Sequence, residues 1–169
     1  MSRAFVRDSD DHPEPPIARQ APDLPPGARN YLTAAGAQRL RDELQNLVEV
    51  ERPPLVANTS DPDAKRRLLA VNQRIEELEQ SLQTAEIVSP GDGTGDLVRF
   101  GATVTVRDES GEDSTYRIVG VDEIDVDRGW ISWMSPIARA LLNARTGDRV
   151  PFKFPSGEEH LEVLDVRFD

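Results

Sequence analysis

Two aspartates, Asp61 and Asp63, are the residues of this chain whose type and spacing best suit metal chemistry. They flank Pro62 in the turn-forming run Asn58-Thr59-Ser60-Asp61-Pro62-Asp63. Carboxylate oxygens are the ligands that Mg²⁺ prefers, so the pair could contribute to a magnesium site. The same residues could instead start a helix, because Asp is favoured at the N-cap and Pro at the first helical position. The sequence leaves both interpretations open.

Three consecutive cations, Lys65, Arg66 and Arg67, follow directly after the aspartates. Side chains of this type contact phosphates, so they are candidates for binding RNA. The alternative is a solvated helix face with no ligand.

The composition excludes several other chemistries. The chain has 169 residues, no cysteine, two histidines and a net charge of −11. It can therefore hold no disulfide, thiolate metal site or cysteine nucleophile, and the acidity argues against wrapping a nucleic acid by its phosphates. No apolar run is long enough to cross a membrane. We expect a cytoplasmic protein without a catalytic nucleophile and base or a cofactor of its own.

A helical hairpin is predicted to carry the aspartates at its tip. The first helix starts at an N-cap, Thr33, and Pro53-Pro54 are expected to end or bend it. The second helix starts at Ser60 or Asp61 and has the clearest heptad pattern of the chain. The apolar seams that would join the two helices are formed by Ala37, Leu40, Leu44 and Leu47, and by Ala64, Leu68, Val71, Ile75, Leu78, Leu82 and Ala85.

The C-terminal part changes to a period of two, which indicates β-strands. Val98 and Phe100 are expected to open the first strand, and a short helix is predicted with Ser135 as N-cap and Pro136 at its first position. The predicted class is α+β: an antiparallel coiled-coil hairpin followed by a small antiparallel sheet with one short helix. The expected units are an extended or disordered tail (1–29), the hairpin (30–88), a linker (89–96) and the sheet domain (97–169).

Two segments of the sheet domain resemble a known family. They are Tyr116-Arg117-Ile118-Val119-Gly120-Val121-Asp122-Glu123 and Ser135-Pro136-Ile137-Ala138-Arg139-Ala140-Leu141-Leu142, the latter followed by Gly147-Asp148. Together with the heptad hairpin before them, they are similar to the Gre transcription elongation factors, with the nearest likeness to the GreB branch. The resemblance covers roughly residues 30–168.

The resemblance implies a fold, a partner and an activity. The C-terminal domain would be FKBP-like and would bind RNA polymerase, through its β′ subunit, at the rim of the secondary channel. The coiled coil would enter that channel, where acidic residues at its tip help hold Mg²⁺ in the polymerase active site during transcript cleavage. On this basis Met134, Ser135, Pro136 and Arg139 are the candidate partner contacts, and Lys65, Arg66 and Arg67 could touch nascent RNA or the channel wall.

This sequence departs from the family pattern at the tip. The motif Asp-Xaa-Ser-Glu-Asn-Xaa-Asp/Glu-Tyr is absent, and Thr59-Ser60-Asp61-Pro62-Asp63-Ala64 stands in its place. Each arm also looks about one heptad shorter, which removes roughly 10 Å of reach. In addition, Met134 stands where the family often has Asp.

We therefore expect a monomeric regulator that docks at the secondary channel without efficient cleavage. One alternative is a cleavage factor in which Asp61 and Asp63 replace the usual acids. Others are a coiled-coil adaptor for a different protein and, more remotely, an FKBP-like prolyl isomerase.

Overall fold

The computed structural model describes residues 24–89 and 95–168. The predicted tail over 1–29 and the predicted linker over 89–96 therefore lie largely outside the described residues. A helical region comes first and a β-sheet second. The elements of the helical region are β1 (Asn30–Leu32), α1 (Ala34–Asn46), a π-helical stretch (Leu47–Glu51), α2 (Arg52–Ala57), α3 (Pro62–Thr84) and β2 (Ala85–Ile87).

The two helical arms run in opposite directions and pack along the predicted apolar positions. Buried side chains from both arms form one cluster, with others packed against it: Ala37, Leu40, Leu44, Leu47, Val71, Ile75, Leu78 and Leu82. Arg74 joins the arms by donating two hydrogen bonds to Glu43, at 2.7 and 3.1 Å. This contact raises the pKa of Arg74 above its ordinary value. Most of the apolar positions predicted from the sequence therefore pack between the two arms, whereas Ala64 and Leu68 lie outside this cluster.

Pro53 and Pro54 do not end the first arm, because helical backbone continues through them to Ala57. The hydrogen bonding changes to a π pattern just before them, where the Arg52 N–H donates to Leu47 O. This shift leaves the prolines in the first turn of α2, where a missing N–H is tolerated.

A pair of short strands closes the base of the hairpin. β1 and β2 pair in parallel, with Asn30 opposite Ala85 and Leu32 opposite Ile87. The pattern analysis missed both strands, because segments of three residues carry no measurable period.

The second part of the chain folds into a five-stranded sheet. Its elements are β3 (Thr103–Arg107), β4 (Asp113–Val119), a 3₁₀ turn (Val121–Glu123), β5 (Trp130–Ser132), α4 (Pro136–Leu141), β6 (Arg149–Phe154) and β7 (Gly157–Arg167). The strand order is β5-β4-β3-β7-β6. The α+β class is confirmed. Among the helices of the described residues, none has the length and apolar character needed to cross a membrane.

Two details of the sheet differ from the prediction. The sheet is mixed rather than antiparallel, because β5 runs parallel to β4 with Trp130 opposite Arg117. The 3₁₀ turn and the loop after it give the chain enough length to re-enter the sheet in the same direction. The first strand starts at Thr103, since Val98 instead donates its N–H to Ala144 O, at 2.8 Å.

The core of this part lies between one face of the sheet and α4. Its buried side chains come from β3, β4, β7, α4 and the segments beside them: Val98, Ala102, Val104, Val106, Ile118, Ala138, Leu141, Ala144, Leu161 and Val163. The base of the hairpin meets this part at Trp130 of β5, through Arg39, and at Trp133, through Tyr31.

Candidate functional site

The tip of the hairpin is built by local hydrogen bonds of the two aspartates. Asp61 is the N-cap of α3, and its Oδ1 accepts a hydrogen bond from Asp63 N at 3.0 Å. The Asp63 carboxylate forms an ion pair with Arg66, three residues further along the helix. Both aspartates are exposed. The structure therefore matches the capping interpretation of Asp61, and it leaves each carboxylate already engaged.

The three cations that follow form the outer surface of the first turns of α3. Lys65, Arg66 and Arg67 are all exposed. Arg66 is partly neutralised by its ion pair with Asp63. The tip thus combines two acids and three cations, of which Asp63 and Arg66 are paired with each other.

The residues present do not by themselves form a metal site. Across residues 24–89 and 95–168, no three His, Cys, Asp or Glu side chains are grouped so that they could hold a metal ion. A magnesium ion at the tip would need most of its ligands from a partner.

The second predicted set surrounds the start of α4. Ser135 caps this helix, with its Oγ accepting from Ala138 N at 3.2 Å, and Pro136 is the first helical residue. Pro136 and Arg139 are exposed, whereas Met134 is half-buried. The four residues lie within about one helical turn and present an arginine beside an apolar loop.

The structure does not bring the two sets together. α3 has 23 residues, so its ends are about 34 Å apart. Among the described contacts, the sheet unit meets the hairpin at the base of the hairpin. The hairpin residues that take part include Tyr31, Thr33, Arg39 and Ser81. The aspartates lie at the far end of the hairpin.

A third group, at this base, was missed by the sequence reasoning. Glu123 is 4% exposed and lies against the N-terminus of α1, where it contacts Thr33 and Arg39. Nothing in the local pattern indicates this, because the partners are about 90 residues apart in the chain. The only local hint is the acidic pair Asp122-Glu123, which follows the buried end of β4 by a few residues.

Comparison with known proteins identifies the relatives of this arrangement. The family description "Transcription elongation factor, GreA/GreB, C-term" matches residues 93–168. Transcription elongation factor GreB of Neisseria meningitidis serogroup B is 41% identical, over 83% of this chain and 94% of that protein. The chain belongs to the GreA/GreB family. Transcription elongation factor GreA of Alkalilimnicola ehrlichii is 40% identical, over 81% of this chain and 96% of that protein.

The two branches of the Gre family match this chain almost equally, so the identities do not assign it to GreB or GreA. Among solved structures, that of Thermus aquaticus Gfh1 is 28% identical, with a TM-score of 0.40, and covers 82% of this chain and 97% of that one.

The alignment with GreB contains more positions than there are residues of this Gre-family chain within it. It extends over 155 positions, whereas 83% of the chain is about 140 residues. About 15 matched positions therefore have no counterpart here. The match to GreA leaves a similar shortfall, since 153 positions correspond to 81% of the chain.

Proposed function

We propose that this Gre-family protein binds RNA polymerase at the rim of the secondary channel and regulates elongation without efficient transcript cleavage. The observation that carries the proposal is the state of the tip carboxylates. Asp61 caps α3 and Asp63 forms an exposed ion pair with Arg66, so each carboxylate has a local partner at the tip. The tip would enter the channel as a structural plug that catalyses nothing by itself.

We place the shortfall of about 15 positions relative to GreB in the two arms of the hairpin, which would limit its reach. Two arms that are each shorter by one heptad would lack 14 residues, close to this shortfall. At 1.5 Å per residue, that shortens the hairpin by about 10 Å. A magnesium ligand must approach to about 2.1 Å, so a displacement of this size removes direct coordination.

The proposal includes the finer architecture expected from the family. The continuous seam between α1 and α3 supports a coiled-coil hairpin. The sheet with α4 across one face supports an FKBP-like unit. In this arrangement the protein acts as a monomer, and Met134, Ser135, Pro136 and Arg139 contact the β′ subunit. Lys65, Arg66 and Arg67 face the channel wall or the nascent RNA.

The test is a paired assay on purified bacterial RNA polymerase in a backtracked complex, with binding and transcript cleavage measured in the same samples. The proposal expects binding without accelerated cleavage. Arg139→Ala should weaken binding about fivefold or more, as for an interface arginine. Arg149→Ala is the matched control, because Arg149 is exposed in the same unit but lies outside the proposed contact. Absence of binding by the unmodified protein would refute the proposal.

A cleavage-stimulating factor is the second candidate, favoured by one observation: both tip aspartates are exposed at the far end of the hairpin. Here Asp61 and Asp63 would share a magnesium ion with the polymerase. Asp61→Ser and Asp63→Asn separate the two functions, because serine retains the N-cap without the charge. Cleavage that is present in the unmodified protein and lost in these folded variants would establish this candidate.

A further inference from the structure

The 3₁₀ turn Val121–Glu123 of the sheet unit contacts both arms of the hairpin at their base. Glu123 contacts the start of α1, and Asp122 accepts a hydrogen bond from Ser81 Oγ, near the end of α3. We propose that these two acids form a clamp that sets the direction in which the hairpin projects from the sheet unit. This inference rests on the proposed function for its consequence at RNA polymerase, but the clamp itself is a property of the isolated protein.

Glu123 is held on several sides in a buried position. Its Oε2 accepts hydrogen bonds from Thr33 N at 2.9 Å and from Gly120 N at 3.0 Å. Its Oε1 accepts from Thr33 Oγ1 and lies 3.7 Å from Arg39 Nη2. The carboxylate thus joins the backbone of both units at the N-terminus of α1, where the helix dipole also favours a negative charge.

Two glycines allow the units to approach this closely. A Cβ on Gly36 would lie 1.9 Å from Glu123 Oε1, and a Cβ on Gly120 would lie 2.1 Å from Tyr31 O. Neither position accepts a side chain without moving its neighbour. The contact is therefore shaped for one relative placement of α1 and the sheet.

Arg39 adds a second connection across the same boundary. Its guanidinium lies 4.6 Å from the ring centroid of Trp130, on β5, while it also faces Glu123. Cation–π contacts of this kind prefer the face of an indole ring. The hairpin is thus held by the Glu123 carboxylate at the start of α1, by the hydrogen bond from Ser81 to Asp122 on the other arm, and by Arg39 over the Trp130 ring.

The clamp acts through a long lever. Because α3 extends for 23 residues, or about 34 Å, a rotation of about 10° at the base moves the tip by about 6 Å. A tip that must enter a channel tolerates little displacement of this size. Asp122 and Glu123 are therefore positioning residues, which act through the placement of residues 58–67.

Distances between spin labels test the clamp in the isolated full-length protein. The chain has no cysteine, so labels can be attached at Asn58→Cys, at the tip, and Ser110→Cys, in the sheet unit, both exposed positions. Pulsed electron paramagnetic resonance then gives the distribution of their separation. We expect one narrow distribution for the unmodified protein, and a shift or broadening of several ångströms in Glu123→Gln. The control Glu112→Gln changes an exposed carboxylate and should leave the distribution as it was.

Ser81→Ala provides a milder variant if Glu123→Gln unfolds, because across the boundary between the two units it removes only the bond to Asp122, while inside the hairpin it removes the bond that Ser81 Oγ accepts from Asn30 Nδ2. A distribution that stays narrow and unshifted in both folded variants would overturn the clamp. In assays with RNA polymerase, the clamp variants should still bind through α4. They should no longer regulate elongation, even at concentrations that saturate the polymerase. If the unmodified protein fails to bind polymerase, the proposed function fails while the spectroscopic result still decides the clamp.

Discussion

Replacing Gly36 with alanine should destabilise this protein, although the same change stabilises most helices. Gly36 lies in the first turn of α1, where alanine is favoured by up to about 1 kcal/mol. The added Cβ would lie 1.9 Å from Glu123 Oε1, far inside van der Waals contact. The carboxylate must therefore move away from Gly36.

The magnitude follows from the hydrogen bonds that this movement breaks. Glu123 accepts from Thr33 N, Thr33 Oγ1 and Gly120 N in a buried site, and hydrogen bonds to charged groups contribute about 1.5–3 kcal/mol each. Loss of one or two of them outweighs the helix-propensity gain. We expect a net decrease of about 1–3 kcal/mol in the free energy of unfolding.

The assay is urea unfolding followed by circular dichroism, on Gly36→Ala in two backgrounds. In the unmodified protein the substitution should lower the unfolding free energy. In Glu123→Ala the carboxylate is absent, so alanine at position 36 should become neutral or stabilising, a non-additivity of more than about 1 kcal/mol. An equal stabilisation by Gly36→Ala in both backgrounds would refute the packing described for this junction.

Two further predictions concern the hairpin core and the sheet. Leu78→Ala should lower the unfolding free energy by about 2–5 kcal/mol in the same assay, because Leu78 is 1% exposed, whereas Leu69→Ala, at 70% exposed, should change it by less than about 0.5 kcal/mol. Similar losses at both positions would contradict the seam. Hydrogen bonds from Ser110 and Glu112 lower the pKa of Asp108 below its ordinary value. The stabilisation that these bonds give the turn is therefore present above the unfolded-state pKa and is lost as pH falls through the native pKa. Carboxyl NMR titration of Asp108 should give a midpoint below that of Asp108 in the unfolded chain, and an equal or higher midpoint would contradict this.

Much of the hairpin was predictable because its signals are local. The caps at Thr33 and Asp61 depend on one side chain and the backbone two or three residues away. The seam of α3 follows from the spacing of apolar residues along a single helix. Ser135, as N-cap, and Pro136, at the first helical position, likewise predict the start of α4 from local sequence. Pro53-Pro54 were expected to end or bend the first helix, and the expected end was wrong. Helical backbone continues to Ala57, with the prolines in the first turn of α2 after the π-helical stretch.

The candidate sites were predicted as residues rather than as geometry. The sequence located Asp61 and Asp63 in one turn. Whether their carboxylates have hydrogen-bond or ion-pair partners depends on the conformation of the tip. The structure shows Asp61 accepting from Asp63 N and Asp63 paired with Arg66. Of the predicted contacts, Pro136 and Arg139 are exposed whereas Met134 and Ser135 are half-buried, and their role in binding stays a prediction.

By itself the sequence determined the class of the protein, the period of its helices, their caps and its Gre-type segments, because each depends on residues close together in the chain. Only the tertiary structure decided how the two parts meet. Glu123 reaches Thr33 across 90 positions, and Ser81 reaches Asp122 across 41. β5 joins the sheet in parallel beside them. Such contacts have no local signature, because a buried carboxylate is stabilised by donors that folding alone brings to it.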